Sequence, residues 1–138
     1  MITNFEHKTK PFTFKELNFY IPLITEILKS KTGKESVIST PELIAKIQKE
    51  EERINLIEAK KVDSVRIRMM VRYIIVNNLI PGLIGAGKGF YIATEAQQME
   101  MCIKSLEERE NAIRTKRIAI LRQMKNIFYP QVTLFEQC

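Results

Sequence analysis

Asp63-Ser64-Val65-Arg66-Ile67-Arg68-Met69-Met70-Val71-Arg72-Tyr73-Ile74 is the stretch on which the fold turns. Ile67, Met70, Val71 and Ile74 recur three or four residues apart, the period of one buried helical stripe. Asp63 is a suitable N-cap, so a helix is predicted over 64–77. Arg68 and Arg72 stand four apart and share a face, with Ser64 near its N-terminal end. After Asn77-Asn78 the character changes. Pro81-Gly82-Leu83-Ile84 is short and apolar, Gly85-Ala86-Gly87-Lys88-Gly89 reads as a flexible turn, and Phe90-Tyr91-Ile92-Ala93 is β-prone. Two short strands about a glycine-rich turn make a hairpin.

Upstream, Thr40-Pro41-Glu42 supplies an N-cap, a proline at the first helical position and an acid in the first turn. Leu43, Ile44 and Ile47 give that helix its apolar face. The charged segment Lys49 to Lys61 either extends it or forms a separate helix. Ser36-Val37-Ile38-Ser39 is a short β-prone piece. Thr13-Phe14-Lys15-Glu16 fits a capping box, so a helix can begin at Phe14. Pro22 is expected to interrupt that helix, leaving a short first one and a second one over Pro22 to Lys31, closed by Gly33. Residues 1–12 are polar, without period, and expected to be a loose tail.

The order helix, short strand, helix, helix, hairpin, helix resembles the winged helix-turn-helix family, and the resemblance covers roughly Pro22 to Ile92. Gly87-Lys88-Gly89-Phe90-Tyr91-Ile92-Ala93-Thr94 looks like the second wing strand of winged-helix proteins of phages and mobile elements. The resemblance implies a mainly α fold with a small β-hairpin, the third core helix entering the DNA major groove and the wing touching the backbone. The chain departs from a minimal motif in the length of Lys49 to Lys61, which exceeds the usual tight turn. The expected organisation is a winged-helix domain over 13–94, a long helix over 95–128 and a tail over 129–138.

Charge agrees with a polyanionic partner. The chain has 138 residues, with 22 Lys and Arg against 16 Asp and Glu, a net charge of +6. Between Lys60 and Lys88 six cations face Asp63 alone, a local balance of +5. The candidate DNA-binding set is Lys60, Lys61, Ser64, Arg66, Arg68, Arg72 and Lys88. Arginine can pair bidentately with guanine, and phosphates accept from Arg, Lys and Ser. The structural alternative is a solvated helix face.

Gly82 to Gly89 imitates a phosphate-binding loop, but position 89 is Gly where the motif needs a hydroxyl for magnesium, and Phe90 to Ala93 reads as a strand rather than a helix. His7 stands in the tail, and no nucleophile–base or spaced carboxylate set stands out, so no catalytic residue, cofactor or metal is expected. Glu50-Glu51-Glu52 is read as a solvated face. Two cysteines, Cys102 and Cys138, make no disulfide framework. No long apolar run suggests a signal peptide or membrane span. A cytoplasmic setting is expected.

Thr94-Glu95-Ala96-Gln97 is read as a capping box opening a helix that runs to about Asn126, with Pro130 barring continuation. Met99, Leu106, Ile113, Ile120 and Ile127 recur every seven residues, and Ile103, Glu110, Arg117 and Met124 fill the alternate seam positions. Glu95 to Glu110 holds five acids and two bases, while Arg114 to Lys125 holds five bases and no acid. An antiparallel pair crossing near Ile113 would bring Glu110 toward Arg117 of its partner. A homodimer is therefore expected, the alternative being that the seam packs on its own domain.

Gln131-Val132-Thr133-Leu134-Phe135 resembles the peptide by which bacterial replication and repair proteins bind the sliding clamp. The resemblance implies polar contacts from Gln131 and pocket-filling by Leu134 and Phe135. Thr133 departs from the usual Ser or Asp. The alternative is that Leu134 and Phe135 fold back onto the domain. Together these features lead to the expectation of a non-enzymatic double-stranded DNA-binding protein in phage or mobile-element replication, linked to a sliding clamp. The rivals are a transcriptional repressor and a protein–protein adaptor that binds no nucleic acid.

Overall fold

The computed structural model describes residues 10–54 and 62–130, and the chain divides into two units, Met1–Met99 and Glu100–Cys138. The described residues are mainly helical with one two-stranded hairpin.

The first unit begins with the capping box over Thr13 and Glu16. The Glu16 N–H donates to Thr13 Oγ1 (3.1 Å), and the Thr13 N–H donates to Glu16 Oε1 (2.9 Å). Pro22 does not divide the helix as expected. A π-helical turn, Glu16–Tyr20, leads directly into helix α1, Ile21–Leu28. Proline lacks an N–H and its ring crowds the carbonyl four residues back. A wider turn just upstream accommodates both problems without a break.

Helix α2, Thr40–Arg53, is capped one residue earlier than expected, by Ser39. The Glu42 N–H donates to Ser39 Oγ (3.3 Å) while the Ser39 N–H donates to Glu42 Oε1 (3.1 Å). Ser39 wins over Thr40 because it stands three residues before the glutamate, the spacing a reciprocal box requires. The Lys49 to Lys61 segment continues α2 as far as Arg53, and its residues 55–61 lie outside the described ones.

Helix α3, Ser64–Val76, opens as predicted, with Asp63 accepting from the Val65 N–H (2.7 Å). Asn78 closes it in the left-handed conformation (φ 54°), which asparagine tolerates, and the Leu79 N–H returns to the Ile74 carbonyl (3.0 Å). The predicted stripe of Ile67, Met70, Val71 and Ile74 is fully buried. It meets Ile24 and Leu28 from α1, Leu43 and Ile47 from α2, and Ile80 and Leu83 beyond α3.

Strands β1, Leu83–Ala86, and β2, Gly89–Ile92, pair antiparallel, from Leu83 opposite Ile92 to Ala86 opposite Gly89. The turn is therefore only Gly87 and Lys88, tighter than the five residues expected. The outer edge of β2 is paired as well. Ile38 exchanges both backbone hydrogen bonds with Phe90 (3.0 and 2.9 Å), and Ile92 bonds to Gly33 and Lys31 (2.8 and 2.7 Å). The β-prone piece before α2 thus contributes one paired residue, Ile38, after a 3-10 turn over Lys34–Ser36. Gly89 sits where that strap presses closest, with φ 146°.

Helix α4, Ala96–Phe128, has 33 residues, spans about 50 Å at 1.5 Å per residue, and carries no buried residue. Its start is capped by Gln98 rather than Gln97: Gln98 Oε1 accepts from the N–H groups of Thr94 (2.8 Å) and Glu95 (3.3 Å). Among the described residues, no helix is long and apolar enough to cross a membrane.

Candidate nucleic-acid interface

The two flanks of α3 serve different ends. At 100° per residue, Arg66 and Arg68 point roughly 160° apart around the axis, with the core stripe between them on one side. Ser64, Arg68 and Arg72 are exposed on the free flank. No acid occurs between Ser64 and Val76, so the helix offers no negative charge on that face. Arg68 and Arg72 stand about 6 Å apart along the helix axis, close enough for two neighbouring base pairs or phosphates. Lys88 is exposed in the hairpin turn. Lys60 and Lys61 lie outside the described residues.

Arg66, expected among the DNA-binding residues, is instead an internal anchor. It is 8% exposed and forms a two-pronged pair with Glu16, Nε to Oε2 at 2.9 Å and Nη2 to Oε1 at 2.7 Å. Its Nη1 also donates to the Lys10 carbonyl (2.8 Å) and its Nη2 to that of Pro11 (3.2 Å). The fork geometry of guanidinium suits a carboxylate approached in its plane, and every nitrogen here has an acceptor. Nothing of the group is left over for a ligand. Its plane also lies over the Phe12 ring (5.3 Å), which meets Tyr73 edge-on (5.5 Å). Lys10 to Phe12, expected to be part of a loose tail, are thereby fastened to α3.

A second ion pair joins the same segment to α2. Glu51, read as part of a solvated run, is 8% exposed. Its Oε2 accepts from Tyr20 Oη (3.0 Å) and from Lys15 Nζ (3.2 Å). Burial pushes the Tyr20 hydroxyl above its ordinary pKa, keeping it a neutral donor. The glutamate run gave no hint of this, since its flanking members Glu50 and Glu52 look the same in sequence. Position alone distinguishes Glu51: it follows Leu43 and Ile47 at four-residue intervals and so falls on the core stripe.

Two surface features carry no motif of their own. Leu23 and Ile27 of α1 border a shallow groove with Lys46, Lys49, Glu50 and Arg53 of α2. The C-terminal end of α3 exposes Ile75, Val76 and, just beyond it, Leu79, with Val76 70% exposed. Both follow from helical spacing once the core stripe is assigned. The segment resembling a phosphate-binding loop is the β1–β2 hairpin, so no helix N-terminus follows its glycines. No protein-family model, curated protein or solved structure matches this chain.

Proposed function

We propose that residues 13–94 form a winged helix-turn-helix domain that binds double-stranded DNA without catalysis, with α3 in the major groove and the β1–β2 hairpin against the backbone. The observation that carries this reading is the free flank of α3, where Arg68 and Arg72 project from a helix whose opposite side is the core. The pairing of Ile38 with Phe90 supports it, because it places the piece before α2 beside the hairpin, as the winged arrangement requires. Arg68 and Arg72 are the base-reading or phosphate-clamping residues, Ser64 a phosphate contact near the helix start, and Lys88 a backbone contact from the wing.

Fluorescence anisotropy with labelled duplex over a salt series tests this. Wild-type affinity should fall steeply as salt rises. The Arg68/Arg72→Ala variant should lose on the order of 2 kcal/mol and bind with a shallower salt slope, while unfolding at the wild-type urea concentration. A wild-type protein indifferent to duplex, or a variant that binds equally well, rejects the proposal.

The setting we propose is the replication of a phage or mobile element in the cytoplasm. That part rests on Gln131, Leu134 and Phe135, which lie outside the described residues. Immobilised bacterial sliding clamp should retain the wild-type chain and release the Leu134/Phe135→Ala variant. Equal retention of the two would end the clamp reading and leave a transcriptional repressor as the DNA-binding alternative. The adaptor reading has its own support in the exposed Ile75, Val76 and Leu79, since apolar side chains on a free surface also suit a protein partner.

A further inference from the structure

The seam of α4 is uncovered along its whole length. Ile113 is 69% exposed and Ile120 55%, with Ile103 and Leu106 each more than half exposed. A helix with a sustained seven-residue apolar repeat and no buried residue is a surface awaiting a partner. Which partner fits is decided by charge.

We propose that α4 pairs antiparallel with α4 of a second copy of this chain, in the single register where residues whose numbers sum to about 223 face one another. Met99 then lies against Met124 of the second copy, Ile103 against Ile120, Leu106 against Arg117 and Glu110 against Ile113. Every seam position from Ala96 to Ile127 gains a partner, because the centre of the register coincides with the middle of the 33-residue helix. Glu110 and Arg117 occupy the seam itself. In this register Glu110 lies one layer, about 6 Å, from Arg117 of the second copy, and the arginine can reach it. Glu107 and Arg114 also meet along one flank, where unlike charges add support. On the other flank Arg109 and Lys116 meet as like charges, at the more solvated rim.

A parallel pair fails on the same two residues. It would set Glu110 against Glu110 and Arg117 against Arg117 inside the seam, with like charges desolvated together. The polarity of the helix, acidic before Glu110 and basic after Arg114, likewise matches only the reversed orientation. The antiparallel arrangement holds the two helix starts about 50 Å apart.

The register is read with a nitroxide on Cys102 in the otherwise intact Cys138→Ser chain. The two labels of an antiparallel pair should lie about 30 Å apart, since residue 102 is offset by 19 residues from its mate along the axis. A parallel pair would bring them to roughly half that or less. Glu110→Arg should weaken dimerisation at least about tenfold by sedimentation, and adding Arg117→Glu should restore it, because the swapped charges again attract. A monomeric wild type at micromolar concentration, a short label distance, or a double variant no better than the single one would each overturn the proposal.

Discussion

Gly89→Ala should lower the unfolding free energy by about 3 kcal/mol, an unusually large effect for one added methyl. Two independent obstacles combine. The backbone there has φ 146°, a region that side-chain-bearing residues rarely adopt. A methyl at that position would lie 2.0 Å from the Ile38 carbonyl oxygen and 2.6 Å from its carbon. Those are backbone atoms in a paired bridge, so no rotamer change can move them aside. Relief requires breaking the Ile38–Phe90 hydrogen bonds and lifting the hairpin off the piece that precedes α2. Gly87 provides the control. Nothing lies within 4 Å of a methyl there and its φ is not positive, so Gly87→Ala should change stability by less than about 0.5 kcal/mol. Urea unfolding followed by circular dichroism separates the two. Equal midpoints would mean that the hairpin is not strapped to Ile38 in solution.

Arg66→Ala should be more damaging still, at about 3–5 kcal/mol, because it strands the Glu16 carboxylate in a buried site and leaves the Lys10 and Pro11 carbonyls without their donor. Arg68→Ala, two residues away, removes an exposed side chain and should stay within about 0.5 kcal/mol. The contrast is open to the same urea measurement, and a smaller loss at Arg66 than at Arg68 would contradict the ion pair.

Acid gives a second signature of that pair. Burial alone would raise the Glu16 pKa, but the hydrogen bonds from Arg66 and Thr13 and the charge of Arg66 outweigh it, and the carboxyl sits below its usual range. The folded value is therefore lower than the unfolded one. Stability from this group is complete above the ordinary carboxylate range and disappears as pH falls through the depressed folded value. In Arg66→Ala the balance reverses. The isolated buried carboxyl then resists ionisation, so the deficit relative to wild type should shrink on acidification, and a deficit that grows instead would refute the assignment.

The core of the first unit was legible because its signal is periodic. Ile67, Met70, Val71 and Ile74 needed only the helical repeat, and the Thr13–Glu16 box needed only local spacing. The residues that sequence misplaced share a physical character. Arg66 and Arg68 have the same side chain two positions apart, and only the long-range partner Glu16, fifty residues upstream, separates an internal anchor from a surface contact. The hairpin is legible in the sequence, but its turn is tighter than the run of glycines suggests. Gly85 lies inside β1 opposite Phe90, and Gly89 is glycine because another backbone passes close to it. Pro22 misled in the opposite way, since a π turn absorbs what proline would otherwise break. In the candidate interface, Ser64, Arg68, Arg72 and Lys88 are exposed where they were expected to be, and Arg66 is not.

Lys15 and Glu16 are adjacent, opposite in charge, and each is bound to a different helix, Lys15 to Glu51 of α2 and Glu16 to Arg66 of α3. A one-residue slip of this segment would set Lys15 beside Arg66 if it moved one way, and Glu16 beside Glu51 if it moved the other. Either contact would be repulsive, and either slip would leave the other buried charge facing an apolar side chain. An apolar three-helix core tolerates many near-equivalent packings, because leucine and isoleucine faces are interchangeable in outline. This alternation of sign disfavours the nearest of those competitors, so the two pairs select one register of the segment, whatever their net contribution to stability.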